Sequence, residues 1–151
     1  MARSSIVLLV LSLGISSLAC AADIGQIKTV KGAVTIERSG QTLPAKVGMR
    51  IAIADIVKTG PDASVGITMS DNSLLSAGPN SIISLDRYEF DQTTGSGRFE
   101  TSLASGSLAV VSGRIAKQSP EAMTVRTPFA VLGVRGTEFA VSANEPVLAR
   151  P

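Results

Sequence analysis

The chain has 151 residues and one cysteine, so it is sized for a single domain with a packed core and has no intramolecular disulfide to hold it together. Lys and Arg number 14 against 12 Asp and Glu, histidine is absent, and aromatic residues make up 3% of the chain. This composition excludes a strongly basic, aromatic-rich nucleic-acid surface, and it removes histidine bases, thiol nucleophiles and soft metal ligands from the mature chain.

Arg3 precedes an apolar stretch, Ile6–Leu18, followed by the small residues Ala19, Cys20, Ala21 and Ala22. A positive end, a short apolar middle and an A-x-A exit predict a signal peptide over residues 1–21, cleaved after Ala21 or Ala22. The middle is shorter than the roughly 20 residues of a membrane helix, so no transmembrane segment is expected in the mature protein. Ser17 stands where a lipoprotein signal favours a larger apolar residue, which makes lipid attachment at Cys20 the minor alternative. Removing residues 1–21 takes Arg3 and no acid, leaving 13 basic residues against 12 acidic ones, close to neutral. Residues 22–151 are expected to form a single periplasmic or secreted domain, with its core over about 24–142 and a short flexible C-terminal tail.

From Asp23 onward the pattern is that of strands. Residues Gln26–Arg38 alternate apolar and polar types, broken at Gly32 where a turn or bulge fits. Further strands are predicted at Ile56–Thr59, Ala63–Met69, Ser73–Ala77, Ser81–Asp86, Gly97–Leu103, Ser107–Val111, Met123–Arg126, Phe129–Val131 and Thr137–Ser142. Between them the segments SG, TGPD, SDNS, AGPN, TTGSG, ASGS and SGR supply the residues that turns require. Residues Ile115–Ala122 allow at most one turn of helix, because Pro120 interrupts them. About ten short strands without a long helical stripe predict an all-β domain: a sandwich, a β-roll or a short solenoid. The echoes KGAVTI, SGSLAVV and LGVRGTEFAV are compatible with rolled, similar rungs.

Three blocks in order, KGAVTIERSG, DIVKTGPDASVGITMSDNSLLSAGPNSIISLDRYEFD and GSLAVVSGRIAKQSPEAMTVRTPFAVLGVRGTEFAV, resemble the FecR domain family of bacterial extracytoplasmic proteins. The resemblance runs from about Ile24 to Val141. Its most specific part is TP-x-A-x-x-G-x-RGT-x-F-x-V, which contains Thr127, Pro128, Gly133, Arg135, Gly136, Thr137 and Phe139. Turn motifs add Thr59 and Gly60, Asp71 and Asn72, and Gly78, Pro79 and Asn80. Where the family often has Gly-Asp, this chain has Ala54-Asp55; a turn needing positive φ would be strained by Ala54, so a different local turn is expected.

Within the last block, Pro128 restricts Thr127 to an extended conformation, Phe129 and Val131 share a face, and Gly133 and Gly136 let the chain bend around Arg135. Burial of Arg135 against loop carbonyls or a carboxylate, Glu138, Asp86 or Glu121, is the leading reading; an anion or partner-peptide site is the other. Among the acids, Glu89 and Asp91 share a strand period and could gather Ca²⁺, although a solvated cluster balancing Arg87 is the simpler reading of Asp86, Glu89 and Asp91.

No catalytic residue, cofactor or metal is assigned. The resemblance brings in the family's best-known members, which relay receptor occupancy across a membrane and grip a sigma factor, a plan from which this chain departs. Only five residues precede the apolar segment here, which leaves no room for that sigma-binding element. The expectation is a non-enzymatic, stand-alone binding or scaffold module in envelope signalling. Its partner would be an envelope protein or cell-wall component, bound by strand addition at Thr137–Ser142. Self-association through an edge strand is one alternative, and a two-carboxylate polysaccharide hydrolase is another.

Overall fold

Alternating residues need two surfaces, one dry and one wet, and the chain supplies both by curling one sheet over itself. The computed structural model describes residues 22–135 and 137–144. The predicted signal peptide therefore lies outside the described residues, as does Gly136. Twelve strands form the sheet: β1 (Asp23–Lys31), β2 (Val34–Arg38), β3 (Gln41–Pro44), β4 (Arg50–Ala52), β5 (Ile56–Thr59), β6 (Ser64–Met69), β7 (Leu74–Ala77), β8 (Ile82–Phe90), β9 (Gly97–Val111), β10 (Met123–Arg126), β11 (Val131–Gly133) and β12 (Glu138–Ala143). A short helix, α1 (Arg114–Gln118), and a 3-10 turn at Pro120–Ala122 separate β9 from β10. The protein is all-β, with the curled antiparallel form of a roll; β9 with β10 is the parallel pair.

One face carries β4-β1-β6-β7-β9-β12, and the other carries β3-β2-β5-β8-β9-β10-β11. Strand β9 belongs to both. Its first half buries Phe99, Thr101 and Leu103, whereas its second half buries Leu108 and Val110, so the alternation changes phase between them. Gly106, at φ +86°, sits at the change, and the register with β8 slips at the same place. The ASGS segment is thus a bulge inside one 15-residue strand rather than a turn between two. The extra residue lets both halves face the core, which includes Ile27, Ile36, Val57, Ile67, Leu85 and Phe99.

Four chain passages between the two faces meet at this corner: Gly32 between β1 and β2, TGPD between β5 and β6, AGPN between β7 and β8, and the Gly106 bulge. Side-chain oxygens join them. The Thr59 hydroxyl donates to the Gly78 carbonyl (2.7 Å) and accepts the Ser81 N–H (2.9 Å). The Ser81 hydroxyl in turn accepts the Ser107 N–H (3.0 Å), and the Asn80 N–H donates to the Gly60 carbonyl (3.0 Å). A side chain at Gly106 would meet Ser81 Oγ at 2.2 Å, so the corner can close only around glycine.

Strands β3 and β4 were not anticipated, because neither QTLP nor RIA carries enough alternation to read as a strand. The strand expected at Phe129–Val131 lies at Val131–Gly133 instead, since Thr127–Ala130 forms a tight turn.

Candidate functional site

The family-type motifs separate into three places. Thr59, Gly60, Gly78, Pro79 and Asn80 build the corner just described. Asp71 and Asn72 lie at the opposite end of the roll, where the ends of β9 converge beneath α1. There Asp71 is fully buried, and its carboxylate accepts the Ser73 hydroxyl (2.7 Å), the Ser73 N–H (3.1 Å), the Tyr88 hydroxyl (3.1 Å) and the Ile115 N–H (3.3 Å). The Asp71 N–H donates to the Tyr88 oxygen (2.8 Å), and Asn72 makes the turn in the left-handed region at φ +66°. Burial, and then the neighbouring Asp71 charge, raise the Tyr88 pKa well above the ordinary phenol value. Every oxygen of this cluster is occupied by the fold, so its work is to tie β7, β8 and α1 together.

A second carboxylate, Asp55, named in the sequence only as part of the Ala54-Asp55 pair, is buried. Arg38 grips it with Nε at 2.8 Å and Nη2 at 2.6 Å, and Asp55 also accepts the Ala52 N–H at 2.9 Å. The hydrogen bond to Asp55 raises the Arg38 pKa. Ala54 occupies φ +68°, so the turn expected to change keeps its left-handed residue despite the methyl group.

The third place is exposed. Thr127 closes the β10–β11 hairpin: its N–H donates to the Ala130 carbonyl (2.8 Å) and its hydroxyl accepts the Ala130 N–H (3.0 Å). Pro128 and Phe129 form the tip, and Phe129 is 66% exposed. Val131 and Leu132 follow on β11 at 68% and 36%. Arg135, expected to be buried, is exposed, and no carboxylate among the described residues pairs with it. The neighbouring Val134 takes the interior position instead, because the strand period points alternate residues inward. Arg135 shares a concavity of about 420 Å³ with Pro120, Glu121 and Gly133.

On the other side of the hairpin, the ladder of β10 with β9 ends at Ser102 and that of β12 begins at Gly106. Between those ladders Ala104 and Ser105 line a concavity of about 630 Å³, walled by Pro128, Phe129, Ala143 and Asn144. Thr137 is exposed, its carbonyl accepting the Ser112 N–H at 2.7 Å, and Phe139 is half-buried on β12.

The acids of SLDRYEFDQ are engaged with neighbours. Asp86 accepts the Ser84 and Ser102 hydroxyls, Glu89 pairs with Arg87 (2.8 Å), and Asp91 accepts the Thr93 N–H (2.8 Å) and the Thr94 N–H (3.2 Å). Those backbone bonds, Thr93 first, lower the Asp91 pKa. Among the described residues no three such side chains are arranged to hold a metal ion.

No curated protein matches the chain. A solved structure described as a cell surface anchoring domain is 34% identical, over 40% of this chain and 82% of its own, with a TM-score of 0.39. The model of the FecR protein family matches residues 55–149, beginning later and ending later than the motif resemblance and covering the corner apart from its Gly32 passage, the Asp71 cluster and the exposed hairpin. The chain belongs to the FecR protein family.

Proposed function

We propose that this chain is an extracytoplasmic binding module that accepts an extended segment of another envelope protein along the open edge of β12. The FecR domain is a signalling and regulatory module rather than a catalytic one, which supports an envelope-associated, non-enzymatic role. Among the described residues no helix is long and apolar enough to cross a membrane.

The observation that carries the reading is the hydrogen-bond phase of β12. The Ser112 N–H bonds to the Thr137 carbonyl, and the antiparallel register then turns Phe139 and Val141 toward β9. By alternation, the N–H and C=O groups of Glu138, Ala140 and Ser142 point away from the sheet. No described strand covers that side. The same residues carry exposed, mostly small side chains, so an incoming strand meets little steric resistance. Main-chain bonds would supply affinity, and alternate side chains would supply selectivity.

A photo-cross-linking residue at position 140, in cells of the native host, tests this. A discrete adduct absent from a control at Val47 is expected. Ala140→Pro removes an outward N–H without touching the ladder to β9 and should abolish binding with the fold retained. Adducts no stronger than at Val47 would refute the reading.

A further inference from the structure

The free edges of the roll are not equivalent. Strand β3 ends in Pro44 and β4 opens with Arg50; proline and charge are common devices against edge pairing. Strand β11, VLG, has neither, and it adjoins the exposed Phe129.

Its hydrogen-bond phase is fixed at both ends. The Thr127 N–H donates to the Ala130 carbonyl and the Val134 N–H donates to the Met123 carbonyl, so Ala130, Leu132 and Val134 face β10. The backbone groups of Val131 and Gly133 therefore point outward. The side chains follow the same parity: Val134 is buried, while Val131 and Arg135 are exposed.

We propose that this edge binds a second copy of the chain, β11 against β11, antiparallel and centred on Leu132. In that register Val131 lies opposite the partner subunit's Gly133, and the two exchange both backbone bonds; symmetry repeats the exchange. The side-chain chemistry is self-complementary as well. Nothing lies within 4 Å of the position a Gly133 side chain would occupy, which leaves space for the opposing valine. Leu132 meets its own symmetry mate across a non-hydrogen-bonded pair, where side chains approach most closely. Every outward group of the strand is matched by another outward group of the same strand, as an isologous contact requires. The two rolls join into one sheet and leave both β12 edges free, so this contact does not depend on the β12 partner.

Sedimentation equilibrium of the purified chain over a concentration series provides the test. A reversible dimer is expected, and Val131→Lys should raise its dissociation constant at least about tenfold. An unchanged circular-dichroism melt of the Val131→Lys monomer would show that the fold is kept. In a Cys20→Ser background, Leu132→Cys should form a covalent dimer on mild oxidation, because Cα atoms across a non-hydrogen-bonded pair are about 4.5 Å apart and within disulfide reach. Val47→Cys, exposed elsewhere, should not do so at a comparable rate. Ala140→Pro should leave dimerisation unchanged, which separates this contact from the proposed β12 site. A monomer at every concentration, a dimer indifferent to Val131→Lys, or Leu132→Cys cross-linking no faster than Val47→Cys would each overturn the proposal.

Discussion

Ala54→Gly should stabilise the protein, although it removes atoms. Ala54 sits at φ +68°, where an L side chain crowds its own backbone at a cost of roughly 1–2 kcal/mol. Glycine escapes that cost but loses more conformational freedom on folding, roughly 0.5–1 kcal/mol. The methyl group is exposed, so no core contact is forfeited. The Ala54 N–H bond to the Leu85 carbonyl (2.8 Å) involves only backbone and survives. The net expectation is a gain of about 0.5–1 kcal/mol, or about 2–5 °C in Tm for a domain of this size. Guanidinium unfolding followed by far-UV circular dichroism reads it directly: the midpoint should rise with an unchanged slope. Ala54→Val should move the midpoint the other way, because β-branching makes the left-handed region still less accessible. If glycine lowers the midpoint, or if valine leaves it unchanged, residue 54 is not held at positive φ and the reasoning fails.

Three further outcomes are expected. Arg38→Met should cost roughly 2 kcal/mol in the same unfolding assay, since it strands the buried Asp55 carboxylate with only the Ala52 N–H, and a loss under about 0.5 kcal/mol would contradict the pairing. Gly106→Ala should cost about 3 kcal/mol or prevent folding, because the new methyl group meets Ser81 at the corner in a left-handed backbone; a near-neutral effect would show that β9 does not bend there. Tyr88, the chain's sole tyrosine, has a folded pKa above its ordinary 10.0, so its contribution to stability is complete below that pH and is lost as pH rises toward the folded value. Tyrosinate absorbance should therefore appear together with loss of the circular-dichroism signal; a phenol that ionises near pH 10 in an intact fold would contradict its burial.

Legibility in the sequence followed the amount of chain behind each signal. Met123–Arg126, with Met123 and Val125 in alternation, and Ile56–Thr59, which runs into the TGPD turn, match the observed bounds, and Gly32 is the expected turn. QTLP and RIA were missed because neither carries apolar residues in a clear alternation, and each is fixed by a neighbour that hydrogen-bonds it. ASGS misled for a different reason. Glycine beside serine is the composition of a turn, and whether the chain reverses or bulges depends on what β8 and β12 offer on either side. The buried acids were harder still. Asp55 and Asp71 have the same local appearance as solvated turn residues, and only the distant partners Arg38 and Tyr88 make them interior.

Arg135 shows how the same ambiguity affects the reading of a site. In sequence, one cation between two glycines within an apolar run invites burial, because each neighbour would be comfortable inside. The strand phase assigns the interior to Val134 and the exterior to Arg135, and this phase is set by the Thr127 and Val134 backbone bonds, not by the hydropathy of the segment. At the corner and in the Asp71 cluster the family-type residues serve closure: Thr59 and Asp71 are consumed by hydrogen bonds, and a side chain at Gly78 would meet Ser107 Oγ at 2.3 Å. What remains once closure is accounted for is an exposed hairpin with Phe129, Val131 and Arg135, together with the uncovered edge of β12. Both have backbone groups directed outward. Under the proposed reading each adds a strand, with specificity supplied by the side chains that alternate along the edge. The two edges differ in this respect: β12 offers small and polar positions that tolerate a foreign strand, whereas β11 offers an apolar, self-matching set. A variant altered at Ala140 and one altered at Val131 should therefore lose different contacts, and a double variant should lose both without loss of fold.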